Sequence, residues 1–122
     1  MREEDEILEY IVALLRFYDV TFCHVPNERA GGAQQQARWN RQGRQPGVPD
    51  ILIFDRPLTG EIGAALELKT ETARKSGQTI ERQRIWLSAL AERGWAAAMT
   101  FGKTAAIDQL IQWGYVPCDR TR

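Results

Sequence analysis

Residues 49–69 read PDILIFDRPLTGEIGAALELK, and this stretch decides the fold. Within residues 50–54, an uninterrupted apolar run follows Asp50 and predicts a strand that is buried on both faces, as in the centre of a sheet. Turn-forming residues at 56–60 predict a hairpin that leads into a second strand over residues 62–69. The chain is therefore expected to be organised around a central β-sheet.

Acidic and basic side chains stand at one end of this predicted hairpin. Residues two apart on a strand share a face, so Glu67 and Lys69 are expected side by side, with Leu68 facing away. Asp50 opens the neighbouring strand, and the hairpin would bring its carboxylate beside Glu67. Carboxylates at a buried sheet end are costly unless a counter-charge joins them. Mg²⁺ prefers such oxygen ligands, and the backbone carbonyl of Leu68 could add another.

A simpler interpretation of the same residues is an ion pair between Glu67 and Lys69 on the surface. An acid two residues before a lysine is a weak pattern by itself. The apolar runs around both predicted strands favour the metal site over the surface ion pair.

The remaining elements follow from apolar periodicity and turn residues. Thr79 and Thr104 are the predicted N-caps of the last two helices, which are expected to stop at Gly94 and near Gly114. The predicted elements outside the hairpin are a helix at 3–18, a strand at 20–25, a mobile basic loop at 29–46 with one helical turn near 34–39, a helix at 79–93, a strand at 95–101 and a final helix. This order, α-β-β-β-α-β-α, predicts one α/β domain over residues 1–122, with a central mixed sheet flanked by helices.

Charge is segregated along a chain whose net charge is zero. The acids crowd the first ten residues, whereas residues 29–48 carry only arginines as charged side chains, and a second basic group follows the predicted hairpin. These two groups are Arg29, Arg38, Arg41 and Arg44, and then Lys69, Arg74, Lys75, Arg82 and Arg84. Such segregation predicts a phosphate-binding face, although two solvated loops would give the same pattern.

Cysteine and histidine content limits the alternatives. The two cysteines, Cys23 and Cys118, are far apart and form no CxxC pair, which favours free thiols in a reducing compartment. A zinc site would need more ligands than His24 can add. The acidic start is unlike a signal peptide, and no apolar run is long enough to span a bilayer. We therefore expect a cytoplasmic protein without a membrane partner.

Five short pieces occur in an order that is specific to one family. They are HVPNE at 24–28, GVPD at 47–50, ELK at 67–69, the segment from Gly77 to QRIWL at 83–87, and Gly94. With them, residues 20 to 115 resemble the virus-type replication-repair nuclease (VRR-NUC) domain of the PD-(D/E)XK nuclease superfamily, in its stand-alone type. The resemblance implies a restriction-endonuclease-like core and a nuclease that depends on Mg²⁺ or Mn²⁺.

The resemblance also implies a role for each matching position. Asp50 and Glu67 correspond to the main metal ligands, and Glu28 corresponds to an additional acid that acts on the metal directly or through water. Lys69 corresponds to the residue that orients the attacking water and steadies charge on the phosphate. Gln83 corresponds to a glutamine that supports the site from the following helix.

Helix geometry gives an independent reason to single out Gln83. It lies three residues after Ile80 and four before Leu87, so it shares their core-facing stripe. A buried polar side chain there needs a hydrogen-bond partner, which the site would supply. The alternative is a helix-end glutamine that bonds to a backbone group.

The resemblance implies DNA as substrate, with selectivity for branched or four-way junction structures, and a homodimer. The first helix is a candidate dimer interface, although it could pack on the sheet instead. Trp39 could stack on DNA or fold back onto the domain. The expected phosphate contacts are Arg29, Arg38, Arg41, Arg44, Arg74 and Lys75. Two alternatives stay open: a catalytically inactive DNA-binding module on the same fold, and a structural protein with no DNA affinity.

Overall fold

The structure is a computed structural model that describes residues 2–26 and 31–118. Its elements in chain order are α1 (Glu3–Phe17), β1 (Phe22–His24), α2 (Ala33–Arg41), β2 (Ile51–Ile53), β3 (Ala64–Lys69), α3 (Gln78–Glu92), β4 (Ala96–Phe101) and α4 (Lys103–Trp113). In these described ranges, no helix has the length and apolar character needed to cross a membrane.

The four strands form one sheet in the order β1-β2-β3-β4. The first three strands pair antiparallel, whereas β3 and β4 pair parallel. A parallel pair needs a crossover connection, and α3 supplies it. The prediction of an α/β fold with a central mixed sheet flanked by helices is therefore confirmed, with α2 as one additional helix.

Side-chain alternation along β3 divides the sheet into two faces. Ala64, Leu66 and Leu68 point into the core beneath α1 and α4. Ala65 and Glu67 point to the opposite face, which α3 covers. We call this second side the α3 face, and it is the face on which the predicted polar residues meet.

The apolar stripe of α1 is used inside the chain. Ile7, Ile11 and Leu15 are between 0% and 5% exposed and lie in the same core cluster as the sheet residues. Burial of each such side chain contributes about 1.5–3 kcal/mol relative to exposure. Of the two interpretations of this helix, packing on the sheet is the one that the structure shows for its apolar stripe. The homodimer stays a prediction.

The prediction of a loop at 29–46 with a single helical turn is wrong for residues 33–41. There the structure has the nine-residue helix α2. None of its residues is buried, so the apolar periodicity that predicts helices was absent there. Arg29 lies outside the described residues.

The predicted caps Thr79 and Thr104 are wrong, because α3 and α4 each begin earlier, after a glycine. Gly77 and Gly102 occupy the N-cap positions with φ of 119° and 94° and without a side-chain cap. Side-chain-bearing residues rarely adopt such angles, so glycine sets both helix starts. The predicted stop near Gly114 is confirmed, since this residue is the left-handed C-cap of α4.

Candidate active site

The register of β2 and β3 brings the two predicted carboxylates together. Ile51 pairs with Leu66, so the next step of the same antiparallel register sets Asp50 opposite Glu67. Such cross-strand neighbours have Cβ atoms about 4.5–5.5 Å apart. Asp50 Oδ2 accepts a hydrogen bond of 2.8 Å from the Leu68 N–H. The Asp50 carboxylate is thus fixed against the end of β3.

Asp50 is also held from its other side. Its backbone carbonyl accepts a hydrogen bond of 2.8 Å from the Val25 N–H, just beyond β1. Pro26 ends the described part of that segment, and Glu28, the predicted additional acid, lies outside the described residues. The predicted role of Glu28 stays a prediction.

Glu67 lies in the middle of the polar cluster and is 3% exposed. Its Oε2 atom is 3.8 Å from the Lys69 Nζ and accepts a 3.3 Å hydrogen bond from the Gln83 Nε2. Its Oε1 atom is buried and has no hydrogen-bond partner among the residues that the structure describes. The pairing of Glu67 with Lys69 is therefore present, but it is largely buried and does not lie on the surface.

Electrostatics set the protonation of Glu67. Burial is the largest cause that raises its pKa, followed by the charge of Asp50 and a hydrogen bond to it, whereas the Lys69 charge lowers it. Together they raise the pKa from 4.5 to about 9. Without a cation the carboxyl group is therefore protonated at neutral pH, and a divalent ion could take the place of that proton.

The donor set at this sheet end fits a hard cation. Asp50 and Glu67 offer carboxylate oxygens, and one of these, Oε1 of Glu67, has no other use in the described structure. The N–H and carbonyl of one strand residue point to the same edge, so the Leu68 carbonyl opens on the side where its N–H meets Asp50. Oxygen donors of this kind suit Mg²⁺ and Mn²⁺. Within residues 2–26 and 31–118, no third acidic, histidine or cysteine side chain joins the two carboxylates.

Gln83 approaches the cluster from α3. It is 8% exposed and shares the buried stripe of the helix with Ile80 and Leu87, as predicted. Its amide donates to a Glu67 side-chain oxygen, so the alternative of a helix-end glutamine bonded to the backbone is wrong. The Gln83 side chain therefore orients a Glu67 oxygen.

Replacing Gln83 with Leu is expected to lower the affinity for Mn²⁺ by about 10–100-fold, which is typical for partners that orient a metal ligand. Leucine keeps the packing volume but removes the donor to Glu67. Isothermal calorimetry with Mn²⁺ measures the change. The matched control is Gln78→Leu, because Gln78 is an exposed glutamine on the same helix. Equal Mn²⁺ affinities in the two variants would contradict this role.

The loop after β3 places a second lysine, Lys75, on the α3 face. Phe101 pairs with Lys69 in the register of β3 and β4, and its ring lies 5.2 Å from the Lys75 Nζ. Arg84 donates to the Lys75 carbonyl at 3.5 Å. Lys75 is therefore held against Phe101, which is the strand neighbour of Lys69 and was predicted only as part of a strand.

The connection into β2 is fixed to α3. The Trp86 indole N–H donates to the Pro46 carbonyl at 3.0 Å, and Gly47 lies so close to Arg82 that an added Cβ would be 3.1 Å from its backbone. Pro49 is fully buried. These contacts fix the start of β2, and with it Asp50, against the helix that carries Gln83.

The predicted phosphate-binding residues lie in different settings. Arg38, Arg41, Arg74 and Lys75 are exposed, whereas Arg44 is half-buried. The Arg44 guanidinium lies 5.0 Å from the centre of the Trp39 ring and donates to Asn40 at 3.3 Å. Trp39 is therefore in contact with an arginine of its own segment, and the choice between its two interpretations stays a prediction.

The sheet order and the flanking helices define an α/β protein with a mixed sheet, and the two carboxylates and the adjacent lysine lie together at one end of that sheet. The VRR-NUC domain family matches residues 2–103, and the chain belongs to this nuclease family, as the sequence pieces implied. The fold is similar to that of a solved VRR_NUC domain protein, with a TM-score of 0.67 over 95% of this chain and 91% of that chain. The two sequences are 19% identical, so this likeness concerns the fold. No functionally curated protein matches the chain.

Proposed function

We propose that this chain is a Mg²⁺- or Mn²⁺-dependent endonuclease that hydrolyses phosphodiester bonds in DNA. One observation carries the proposal: the buried Glu67 carboxyl lies beside Asp50, 3.8 Å from the Lys69 ammonium, with one oxygen that lacks a partner in the described structure. A protein that only binds DNA has no need for such a costly arrangement.

Each residue of the cluster has a task in this proposal. Asp50, Glu67 and the Leu68 carbonyl would hold the cation, with Glu28 as an additional acid. When bound, the cation lowers the pKa of a water molecule and stabilises charge on the phosphoryl oxygens. The Lys69 side chain is 17% exposed, so its ammonium group can reach a water or phosphate while it stays next to Glu67.

Exposed arginine and lysine side chains would bind the DNA. Arg38, Arg41, Arg74 and Lys75 would contact backbone phosphates, and Arg29 is proposed with them from the sequence. Contacts of this kind give an affinity that falls steeply with salt and that carries little sequence information. The preference for branched DNA and the homodimer are proposed from the family resemblance.

Cleavage assays on matched DNA substrates test the proposed function. Duplex, flayed and four-way junction DNA of shared sequence would be incubated with the protein in Mg²⁺, Mn²⁺ or EDTA. We expect cleavage with either metal, none in EDTA, and the fastest cleavage on branched DNA. Sedimentation at micromolar concentration should show a dimer. The alternative is an inactive binding module. It would bind DNA without cleaving it, and titration with Mn²⁺ in a calorimeter would give no heat of binding.

A further inference from the structure

The helix α2 is unusual because it is helical without a buried side. The extensive contacts between elements of the described chain join the sheet to α1, α3 and α4 and do not include α2. A helix of nine residues is marginal in water when nothing packs against it. A polar helix of this kind therefore needs local contacts that keep it folded. Its exposure also calls for a functional explanation.

Arg44 supplies the local support. Its guanidinium donates to Asn40 Oδ1 through Nη2 at 3.3 Å and through Nε at 3.4 Å, and also donates to Gln36 Oε1. The same group covers the Trp39 ring at 5.0 Å, and the Arg44 N–H donates to the Trp39 carbonyl at 3.0 Å. One arginine thus holds three side chains of α2 and the end of the helix together.

The opposite side of α2 is presented to solvent. Gln34, Arg38 and Arg41 follow one another at intervals of four and three residues and share a face. With the small residues Gly32 and Ala37 they line a shallow surface concavity. Long donor side chains over small residues allow a ligand to approach the helix backbone closely.

The charge of this surface identifies an anionic partner. No acidic residue occurs between Gly31 and Pro49, so arginine supplies every charge of the segment. Guanidinium and amide groups are the donors that contact DNA phosphates and the base edges of the major groove, which is wide enough for an α-helix. Unpaired bases are bound mainly by stacking on aromatic rings, and Arg44 already occupies one face of the Trp39 ring. The surface therefore fits a duplex better than a single strand.

The position of α2 relates it to the candidate active site. The segment that follows α2 is fixed to α3 through the Trp86–Pro46 hydrogen bond and the close approach of Gly47 to Arg82. It then runs directly into Asp50. A duplex bound along α2 would consequently be held beside the sheet end that carries the carboxylates.

We propose that α2 is a preformed duplex-binding helix, with Gln34, Arg38 and Arg41 as its contact face. Arg44 acts as the positioning residue that keeps the helix folded, instead of as a DNA contact. This inference rests on the proposed function, because it takes DNA as the substrate. It adds that the contact face of α2 binds a double-stranded arm of the DNA next to the cleavage site.

Salt-dependent binding to a labelled duplex in EDTA tests the contact face. For R38A/R41A we expect the slope of log affinity against log salt to become shallower by about 2, and the affinity to fall by about tenfold or more. The matched control is R56A/R93A, which removes two exposed arginines at the other end of the sheet and should keep the wild-type slope. An unchanged slope in R38A/R41A would overturn the inference.

A single-stranded oligonucleotide of the same length tests the choice of duplex. R38A/R41A is expected to weaken binding of the duplex more than binding of the single strand. Equal losses, or a larger loss for W39A on single strands than for R38A/R41A on duplex, would refute a duplex-binding helix.

Arg44→Lys separates positioning from direct contact, because it keeps the charge and loses the forked guanidinium. We expect hydrogen exchange of the amides in residues 36–41 to approach that of an unfolded chain, and duplex affinity to fall with it. Slow exchange in this variant would refute the positioning role of Arg44. A wild-type protein that neither binds nor cleaves any DNA would refute the proposed function itself. A wild type that cleaves, while R38A/R41A keeps its salt slope, would refute only the role of α2.

Discussion

Replacing Asp50 with Asn is expected to lower the rate of metal-dependent DNA cleavage by about a thousandfold or more, a loss of about 4 kcal/mol in transition-state stabilisation. The asparagine side-chain oxygen can still accept the Leu68 N–H, so β2 and β3 should keep their register. What disappears is one of the two negative charges that would hold the cation. Single-turnover cleavage at saturating Mn²⁺ measures the rate, and calorimetry measures the Mn²⁺ affinity.

The control for this variant is Asp55→Asn. Asp55 also accepts a backbone N–H through its carboxylate, from Thr21 at 2.7 Å, but it lies at the other end of the hairpin. We expect wild-type cleavage from this control. An Asp50→Asn protein that cleaves within tenfold of wild type would show that the carboxylates are not the metal site.

Replacing Glu67 with Gln is expected to abolish cleavage and, without metal, to make the protein more stable at neutral and alkaline pH. The pKa of Glu67 is raised from 4.5 to about 9 in the folded chain, so folding takes up a proton between these values. The free energy of unfolding should therefore fall as pH rises from about 4.5 to 9, by at most about 1.4 kcal/mol per pH unit. Glutamine resembles the protonated acid and should remove this decline.

Urea unfolding in EDTA, across this pH range, measures the effect as the difference between wild type and variant. The difference should be smallest near pH 4 and should grow with pH. Adding Mn²⁺ at neutral pH should stabilise the wild type and leave Glu67→Gln almost unchanged. Glu92→Gln, an exposed position on α3, is the control and should follow the wild type. Parallel curves for Glu67→Gln and wild type would contradict the raised pKa.

Much of the sheet could be predicted because its signals are local. The apolar run that follows Asp50 predicted the central strand β2, and the period of two along β3 predicted that Glu67 and Lys69 share a face. The hairpin connection then limited where Asp50 could lie. For Gln83, the helical stripe predicted burial, and the need for a partner predicted a contact with the site.

The parts that sequence analysis missed depend on contacts that periodicity does not record. The helix α2 depends on the hydrogen bonds of Arg44 instead of on an apolar stripe. The Trp86–Pro46 hydrogen bond joins residues 40 positions apart. Thr79 and Thr104 were plausible caps, but backbone angles that only glycine adopts readily decided both helix starts.

The segment that contains α2 is bounded by two anchors, the Val25–Asp50 hydrogen bond on one side and the contacts of Pro46 and Gly47 with α3 on the other. Since α2 itself adds little to the core, its exposed residues can change with little effect on the stability of the sheet. Substitutions in this segment could therefore change which nucleic-acid structures the protein binds. Asp50, Glu67, Lys69 and Gln83 would stay unchanged.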